Sequence, residues 1–196
     1  ASTLSGTFGS AEAAAASFDR VPIHLADSLG ASLLQGMLVL KAAELAELGE
    51  PPEDIVLELQ RIRSQSGILF TVGDYARLIA SGRVSSRQAL LGQLLRINPI
   101  LGLRPDGSVA AFGKAFGRRG ARARLMRLLR DQIPRQAKQL RFGVVHVGCE
   151  HMVDEISMEL RTEYGDYVEI LSAPATPVIA THTGIGTWGV AFLLED

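Results

Sequence analysis

Small hydroxyl residues crowd the segment Ser2-Thr3-Leu4-Ser5-Gly6-Thr7, just before an alanine-rich stretch that reads as a helix. A helix start offers unpaired backbone N–H groups and the positive end of the dipole, which together suit a carboxylate or a phosphate. The plainer reading is helix capping by Ser or Thr. A second group lies near the other end of the chain, where Pro177-Val178-Ile179 leads to His182-Thr183-Gly184-Ile185-Gly186. Read as an apolar strand, this segment delivers an imidazole and a hydroxyl to a loop that two glycines allow to bend sharply. Histidine can donate to a carboxylate and changes charge near neutral pH. A capped turn between strands fits the same residues.

Arg83 follows Gly82 in a short polar segment, Ser81-Gly82-Arg83-Val84-Ser85, and suits an oxyanion. A solvated loop arginine is the simpler alternative. Ten of the chain's 20 Lys and Arg lie between Lys114 and Arg141, opposed there only by Asp131. Such a patch fits an acidic partner, an anionic membrane or nucleic acid, and equally a solvated helix face. It lacks the interleaved aromatics that stack on bases. His146, Cys149 and His151 have ligand-like spacing, but no second ligand pair completes a structural zinc site. The sequence has no G-x-x-x-x-G-K-[ST] phosphate loop, no G-x-G-x-x-G leading from a strand into a helix and no G-x-S-x-G elbow. Any phosphate chemistry therefore points to a nucleotide held by another protein.

The elements that must carry these groups alternate. Helices are predicted over 11–18, 33–49, from Pro51 through Ile62, around Tyr75 and Leu78, over 88–97, 118–130 and 152–162. Strands are predicted over 21–25, 68–72, 142–147, 167–171, 178–181 and 190–194. Segments 100–103 and 109–112 flank Pro105-Asp106-Gly107 and read as a β-hairpin. The class is α/β or α+β with a mixed sheet, and a domain seam is placed at Ser64 to Gly67.

The chain has 196 residues, 47% of them apolar, enough for a sizeable core, and its net charge is -1. A polyanion and a general nucleic-acid binder are disfavoured. One cysteine allows no internal disulfide. The first eighteen residues lack the basic and apolar regions of a signal peptide, and no apolar run matches a membrane span. A soluble, cytoplasmic protein is expected.

Taken together, these blocks carry a resemblance. Ser2-x-Leu4-Ser5-Gly6-Thr7-Phe8, Asp27-Ser28, Ser32-Leu33-Leu34-Gln35-Gly36, Gly82-Arg83-Val84-Ser85, a run from Leu91 through Asn98-Pro99-Ile100-Leu101, Asp106-Gly107, Gly117-Arg118-Arg119, and Pro177-Val178-Ile179 with His182-Thr183-Gly184-x-Gly186 stand in one order. That order resembles the bacterial DegV family over essentially the whole chain. The resemblance implies a two-domain α/β fold with a lipid tunnel. Here 1–66 is the remainder of an N-terminal parallel α/β domain, and 67–196 is a C-terminal domain with a mixed or antiparallel sheet. It also implies a carrier without catalytic activity of its own, which binds a long-chain fatty acid and needs no cofactor or metal. A separate ATP-binding kinase subunit phosphorylates the carboxyl group, and the acyl phosphate feeds phospholipid synthesis. By the same resemblance Ser2, with Ser5, holds the carboxylate near His182 and Thr183, and Arg83 serves productive engagement with the kinase. No nucleic-acid partner and at most transient membrane contact are implied.

The sequence departs from the family pattern in places. It starts where the family has a preceding strand and, further upstream, a Thr-Thr-Ser-Gln-Pro segment that supplies a threonine to the carboxylate. Thr3 and Thr176 replace glycines, and Ile185 replaces a proline. Two other readings compete. One is a small phosphotransferase or hydrolase using Ser2 or Ser5 with His182, which needs a third group to orient the imidazole. The other is an interaction module built on the basic stretch.

Overall fold

The fold is given by a computed structural model that describes residues 1–84 and 97–196. Its first helix, α1 (Thr7–Ala16), forms on alanine's high intrinsic propensity and buries none of its residues. The strand expected over 21–25 is absent: these residues run without a ladder, and Val21 and Ile23 are exposed. Pro22 removes a backbone donor in the middle of the segment, and no neighbouring strand supplies the pairing that β-branched residues need. Helix α2 (Leu33–Glu47) buries Leu34, Met37 and Leu38, the i, i+3, i+4 spacing of one helical face. Helix α3 (Pro52–Gln65) begins on a proline with Glu53 and Asp54 in its first turn, ends with Arg63, and buries Ile62.

Six strands follow: β1 (Gly67–Thr71), β2 (Ile97–Leu103), β3 (Val109–Phe116), β4 (Leu140–His146), β5 (Glu169–Pro174) and β6 (Trp188–Leu194). They form one sheet in the order β3-β2-β1-β6-β4-β5. The β4–β5 pair is parallel and every other pair is antiparallel, so the sheet is mixed, as expected. The predicted hairpin forms, and its second strand runs on to Phe116. Gly107 takes φ +82° in its turn, and Asp106 Oδ1 accepts from the Ser108 N–H at 2.8 Å. The helix expected over 88–97 falls largely outside the described residues; Ile97 itself belongs to β2.

Four more helices lie among the described residues: α4 (Tyr75–Ala80), α5 (Gly117–Gln132), α6 (His151–Tyr164) and α7 (Pro177–Thr183). The last corrects the strand expected over 178–181. Val178, Ile179 and Thr181 favour strands, but Pro177 is preset for a first helical turn and the segment packs on α4 instead of on a sheet edge.

The sheet is covered on both faces. Leu125, Met126, Leu129, Met152, Ile156 and Leu160 of α5 and α6 pack on Phe142, Val144, Val190 and Phe192. On the opposite face Leu34, Met37, Leu38 and Ile62 of α2 and α3 meet Ile68, Ala191 and Leu193. Every residue of β6 is buried, which explains why it reads as an unbroken apolar run and not as an alternation.

Charge answers much of the basic stretch internally. Arg122 pairs with Glu155 and Glu159 of α6, and Arg130 with Glu163. Arg141 reaches Glu44 at 2.9 Å and Glu169 at 2.7 Å, while Glu195 takes Lys41 at 2.6 Å. These pairs tie α2, β4, β5 and the residues after β6 together.

Gly143 marks the closest approach of α2 to the sheet, since a Cβ there would lie 2.7 Å from Leu33 Cβ. Gly143→Ala is therefore expected to push α2 outward and destabilise the protein by about 1–2 kcal/mol. Urea unfolding should show a lower midpoint at an unchanged slope. A midpoint at or above that of the parent would show that α2 does not rest on this position.

Candidate functional site

The serine segment is anchored by Asp27. The Ser2 N–H donates to both Asp27 carboxylate oxygens at 3.2 Å, and the Leu29 N–H donates to Oδ1 at 3.0 Å. Burial raises the cost of ionising Asp27, but the hydrogen bonds from Ser2 and Leu29 outweigh it and hold the carboxyl below its ordinary pKa. Ser2 and Ser5 are both exposed. Ser5 Oγ lies 2.8 Å from Thr7 Oγ1 and accepts from the Thr7 N–H at 3.3 Å, so it is held by the first residue of α1. Between them, Leu4 packs into an apolar cluster with Leu78, Val84, Leu101 and Val109.

The loop that follows Asp27 holds two non-glycine residues in the left-handed region, Leu29 at φ 41° and Ser32 at φ 53°. Such conformations persist only where their surroundings enforce them. Arg63 does so from α3. Its Nε donates to the Ser28 carbonyl at 3.1 Å and its Nη2 to the Pro105 carbonyl at 2.6 Å, which clamps the loop to the β2–β3 turn. Burial pulls the Arg63 guanidinium below its usual pKa, with Asp27 and Asp106 opposing that effect. Thr3 sits against the same turn, since a Cβ on Gly107 would lie 2.7 Å from Thr3 Oγ1. No motif in the sequence marks Arg63 for this duty. Its signal is a cation in the last turn of a helix, a position most arginines occupy for the dipole alone.

The histidine segment is held just as firmly. His182 is half-buried in the last turn of α7, and Thr183 is buried. The Thr183 hydroxyl donates to the Ile179 carbonyl at 2.9 Å, one turn back in the helix, so its proton is committed. The Asp74 N–H donates to the Thr183 carbonyl at 3.0 Å. Beyond the helix the Gly73 N–H donates to Thr187 Oγ1 at 2.9 Å, and that hydroxyl faces the Thr183 and Gly184 carbonyls at 2.9 and 2.7 Å. A Cβ on Gly73 would stand 1.9 Å from the Ile185 carbonyl oxygen, so only glycine fits. Gly73 and Thr187 are structural partners that the motif reading missed; neither carries a chemical signature in the sequence.

Arg83 is exposed, with Nη1 donating to the Ser81 carbonyl at 2.6 Å. Gly82 before it takes φ +72° and ends the turn after α4. Ser85 and the segment from Leu91 to Arg96 lie outside the described residues. The expected groups are thus linked through α4. It packs on α7, which carries His182, and its Leu78 shares one apolar cluster with Leu4, between the two serines, and with Val84, beside Arg83.

A hollow of about 200 Å³ opens at the end of β1, lined among others by Thr71, Gly73, Asn98, Arg118, Cys149, Ile185 and Trp188. Ser2, Ser5 and His182 are not among its lining residues. Cys149 is buried there with its thiol donating to the Thr187 carbonyl, and burial pushes its pKa up. His146, Cys149 and His151 share the connection from β4 to α6, and among the described residues no group of three metal-ligating side chains comes together. No helix of the described residues is long and apolar enough to cross a membrane.

The sheet order, the helices on both faces and the two clamped loops define a mixed α/β protein whose chemistry-bearing residues are presented on short segments beside the sheet. The chain belongs to the DegV family: residues 1–195 match the family described as "Uncharacterised protein, DegV family". Protein DegV of Bacillus subtilis is 36% identical over 195 residues, covering 99% of this chain and 68% of that protein. The fatty acid-binding protein of Thermotoga maritima is 34% identical over 190 residues, covering 96% of this chain and 65% of that one. The solved structure of a fatty-acid-binding DegV family protein from Thermus thermophilus superposes with a TM-score of 0.89 at 35% identity, covering 99% of this chain and 68% of that one.

Asp27 gives the site a pH signature. Because its folded pKa lies below the unfolded value of about 3.9, its contribution is complete above about pH 5 and is lost as pH falls through the folded value. Asp27→Asn should cost on the order of 1 kcal/mol at neutral pH, with the gap to the parent closing below about pH 4. Chemical denaturation across that range measures it. A gap of equal size at both ends would show that the carboxylate charge does not hold the serine segment.

Proposed function

We propose that this chain binds a long-chain fatty acid in an apolar tunnel of the DegV fold and presents the carboxyl group to a separate ATP-binding kinase subunit, which converts it to an acyl phosphate. The observation that carries this reading is membership of a family in which proteins 34% and 35% identical to this chain are fatty-acid binders. The acyl tail would dominate affinity. Burying a tail of ~16 methylenes at ~0.8 kcal/mol each offers on the order of 13 kcal/mol, from which ordering of ligand and site takes back several kcal/mol. The polar end would fix orientation. Ser2 and Ser5 supply hydroxyls beside α1, their backbone N–H groups being held by Asp27 and the Ala1 carbonyl, and His182 supplies an imidazole that makes no hydrogen bond among the described residues. Thr183, with its proton committed to Ile179, serves by holding the loop and as an acceptor.

In this reading the chain contributes binding and orientation, and the nucleotide belongs to the partner. Arg83 is exposed, has one donor engaged by a neighbouring carbonyl, and keeps the rest of its fork for the kinase subunit or the phosphoryl group in transfer. The protein would act in the cytoplasm and supply phospholipid synthesis, touching membrane only transiently and nucleic acid not at all. Residues 1–66 would belong to an N-terminal α/β domain and 67–196 to a C-terminal one.

Solvent extraction of the purified protein followed by mass spectrometry should return a stoichiometric long-chain fatty acid. His182→Ala should weaken binding of added palmitate by about tenfold. Arg83→Ala should leave palmitate binding unchanged while abolishing acyl-phosphate formation with the kinase subunit and ATP. Protein that neither retains nor takes up a fatty acid would sink the carrier reading. Palmitate binding that collapses in Arg83→Ala would sink the role given to that residue.

A further inference from the structure

None of the groups assigned to the fatty carboxylate or to the kinase lines the hollow of about 200 Å³ at the end of β1. Its inner wall is the last rung of the sheet there, where Thr71 stands opposite Trp188 across β1 and β6. Residues two apart in a strand share a face, so Thr71 follows Leu69 onto the side packed by α5 and α6. Trp188 belongs to that same cluster. Leu4, between the two serines, lies in a different one with Leu78 and Leu101.

Thr71 and Trp188 are 5% and 4% exposed, and neither side chain has a hydrogen bond among the described residues. The polar side-chain atoms that are sealed off without a partner belong to Arg141, His146 and Tyr164. The Thr71 hydroxyl and the Trp188 indole N–H are therefore unpartnered yet accessible, and the space that both residues line is this hollow. Buried polar groups are nearly always paired, so two donors left open side by side point to a molecule that accepts from them. Asn98 adds an amide and Arg118, at the mouth, a guanidinium, neither with a partner among the described residues. The charge of Arg118 reaches the interior, where it opposes the effect of burial on the Cys149 thiol. No Asp or Glu is among the lining residues, and Val72, Ala121, Met152 and Ile185 make apolar walls.

These surroundings select a ligand class. Indole and guanidinium only donate, and one arginine with no acid beside it calls for a single negative charge. Two neutral donors next to each other match the two oxygens of a carboxylate, and the apolar walls suit a short hydrocarbon body. The volume lies below the ~300–1,000 Å³ typical of pockets for larger ligands, so the molecule is compact. We propose that this hollow is a second binding site, for a compact monocarboxylate held by the Thr71 hydroxyl and the Trp188 N–H, with Arg118 as its counter-ion. The site shares no residue with Ser2, Ser5, Arg83, His182 and Thr183 and does not rest on the carrier reading.

Trp188 is the chain's only tryptophan, so its fluorescence reports on this hollow. Titration of the protein with sodium butyrate at fixed ionic strength should give a saturable change with a midpoint at about millimolar concentration or below. Butyramide has the same shape without the charge and should bind at least about tenfold more weakly. Thr71→Val keeps the shape, removes the hydroxyl and should weaken butyrate by about tenfold, whereas Thr71→Ser should stay within about threefold of the parent. Arg118→Gln should also cost about tenfold. Arg127→Ala removes an exposed charge from the same helix outside the hollow and should stay within about twofold. Saturating palmitate should leave the butyrate curve unchanged. Absence of a saturable response overturns the proposal and leaves the hollow to water. Equal binding of butyramide overturns it, as do equal losses in Thr71→Ser and Thr71→Val, or undiminished binding in Arg118→Gln. Displacement of butyrate by palmitate overturns the second site while upholding the carrier reading, so the two are told apart.

Discussion

The burial of β6 is the constraint on which the rest of the structure depends. Its seven residues lie between β1 and β4, pair antiparallel with both, and touch helices on each face of the sheet. A strand in that position tolerates neither a polar side chain nor a slip in register, because a shift of one residue would exchange the residues offered to α5 and α6 with those offered to α2 and α3. Gly189 shows how tight the fit is, since a Cβ there would come within 2.6 Å of Phe70 Cβ. Once β6 is fixed, the point at which the chain enters it is fixed too. That point is the Thr187 knot, which ties the end of α7 to the end of β1.

This gives the histidine segment an order that its own sequence would not confer. A helix of seven residues is too short to be stable alone. Here its last carbonyls are taken by Asp74 and Thr187, and its side packs on α4. The serine segment is fixed by a different device, the Asp27 carboxylate and the Arg63 clamp on a strained loop. The two segments come from opposite ends of the chain, yet each is referred to the same rigid sheet, and α4 touches the neighbourhood of both. Groups meant to fix one small polar end of a ligand need such a common frame more than they need strength of their own.

Most of the fold was legible because its signals were local. The i, i+3, i+4 stripe of α2, the prolines and acids opening α3, and the Asp106-Gly107 turn each dictate their element without help from elsewhere. The failures were those where tertiary context overrides propensity. Val178-Ile179 looks like strand material, but Pro177 presets the first turn of a helix and the segment packs on α4. Val21 and Ile23 carry the right side chains for a strand and have no partner. Among the candidate residues, Ser2, Ser5, Arg83 and His182 stand out through motif order alone, whereas Arg63, Gly73 and Thr187 hold the loops through backbone groups. Their roles rest on which carbonyl or N–H happens to be near, and that is decided by residues far away in the chain.

Helix α5 shows why a charge run cannot be assigned a single purpose from its composition. Arg122 and Arg130 are eight positions apart, about 2.2 turns, which keeps both on the side of the helix that meets the α6 carboxylates. Their charge is spent on holding two helices together over the sheet. Arg118 and Arg119 make no ion pair with that acidic face among the described residues and stand at the end where the helix's own field repels them. Nothing in packing requires cations there, and glutamates in the same turn would favour the helix. The same ten-cation stretch thus divides by position into residues paired with carboxylates of the fold, such as Arg122, Arg130 and Arg141, and residues such as Arg118 and Arg119 that make no such pair among the described residues. In a chain whose overall charge is -1, that local excess belongs to one stretch and is not a property of the molecule.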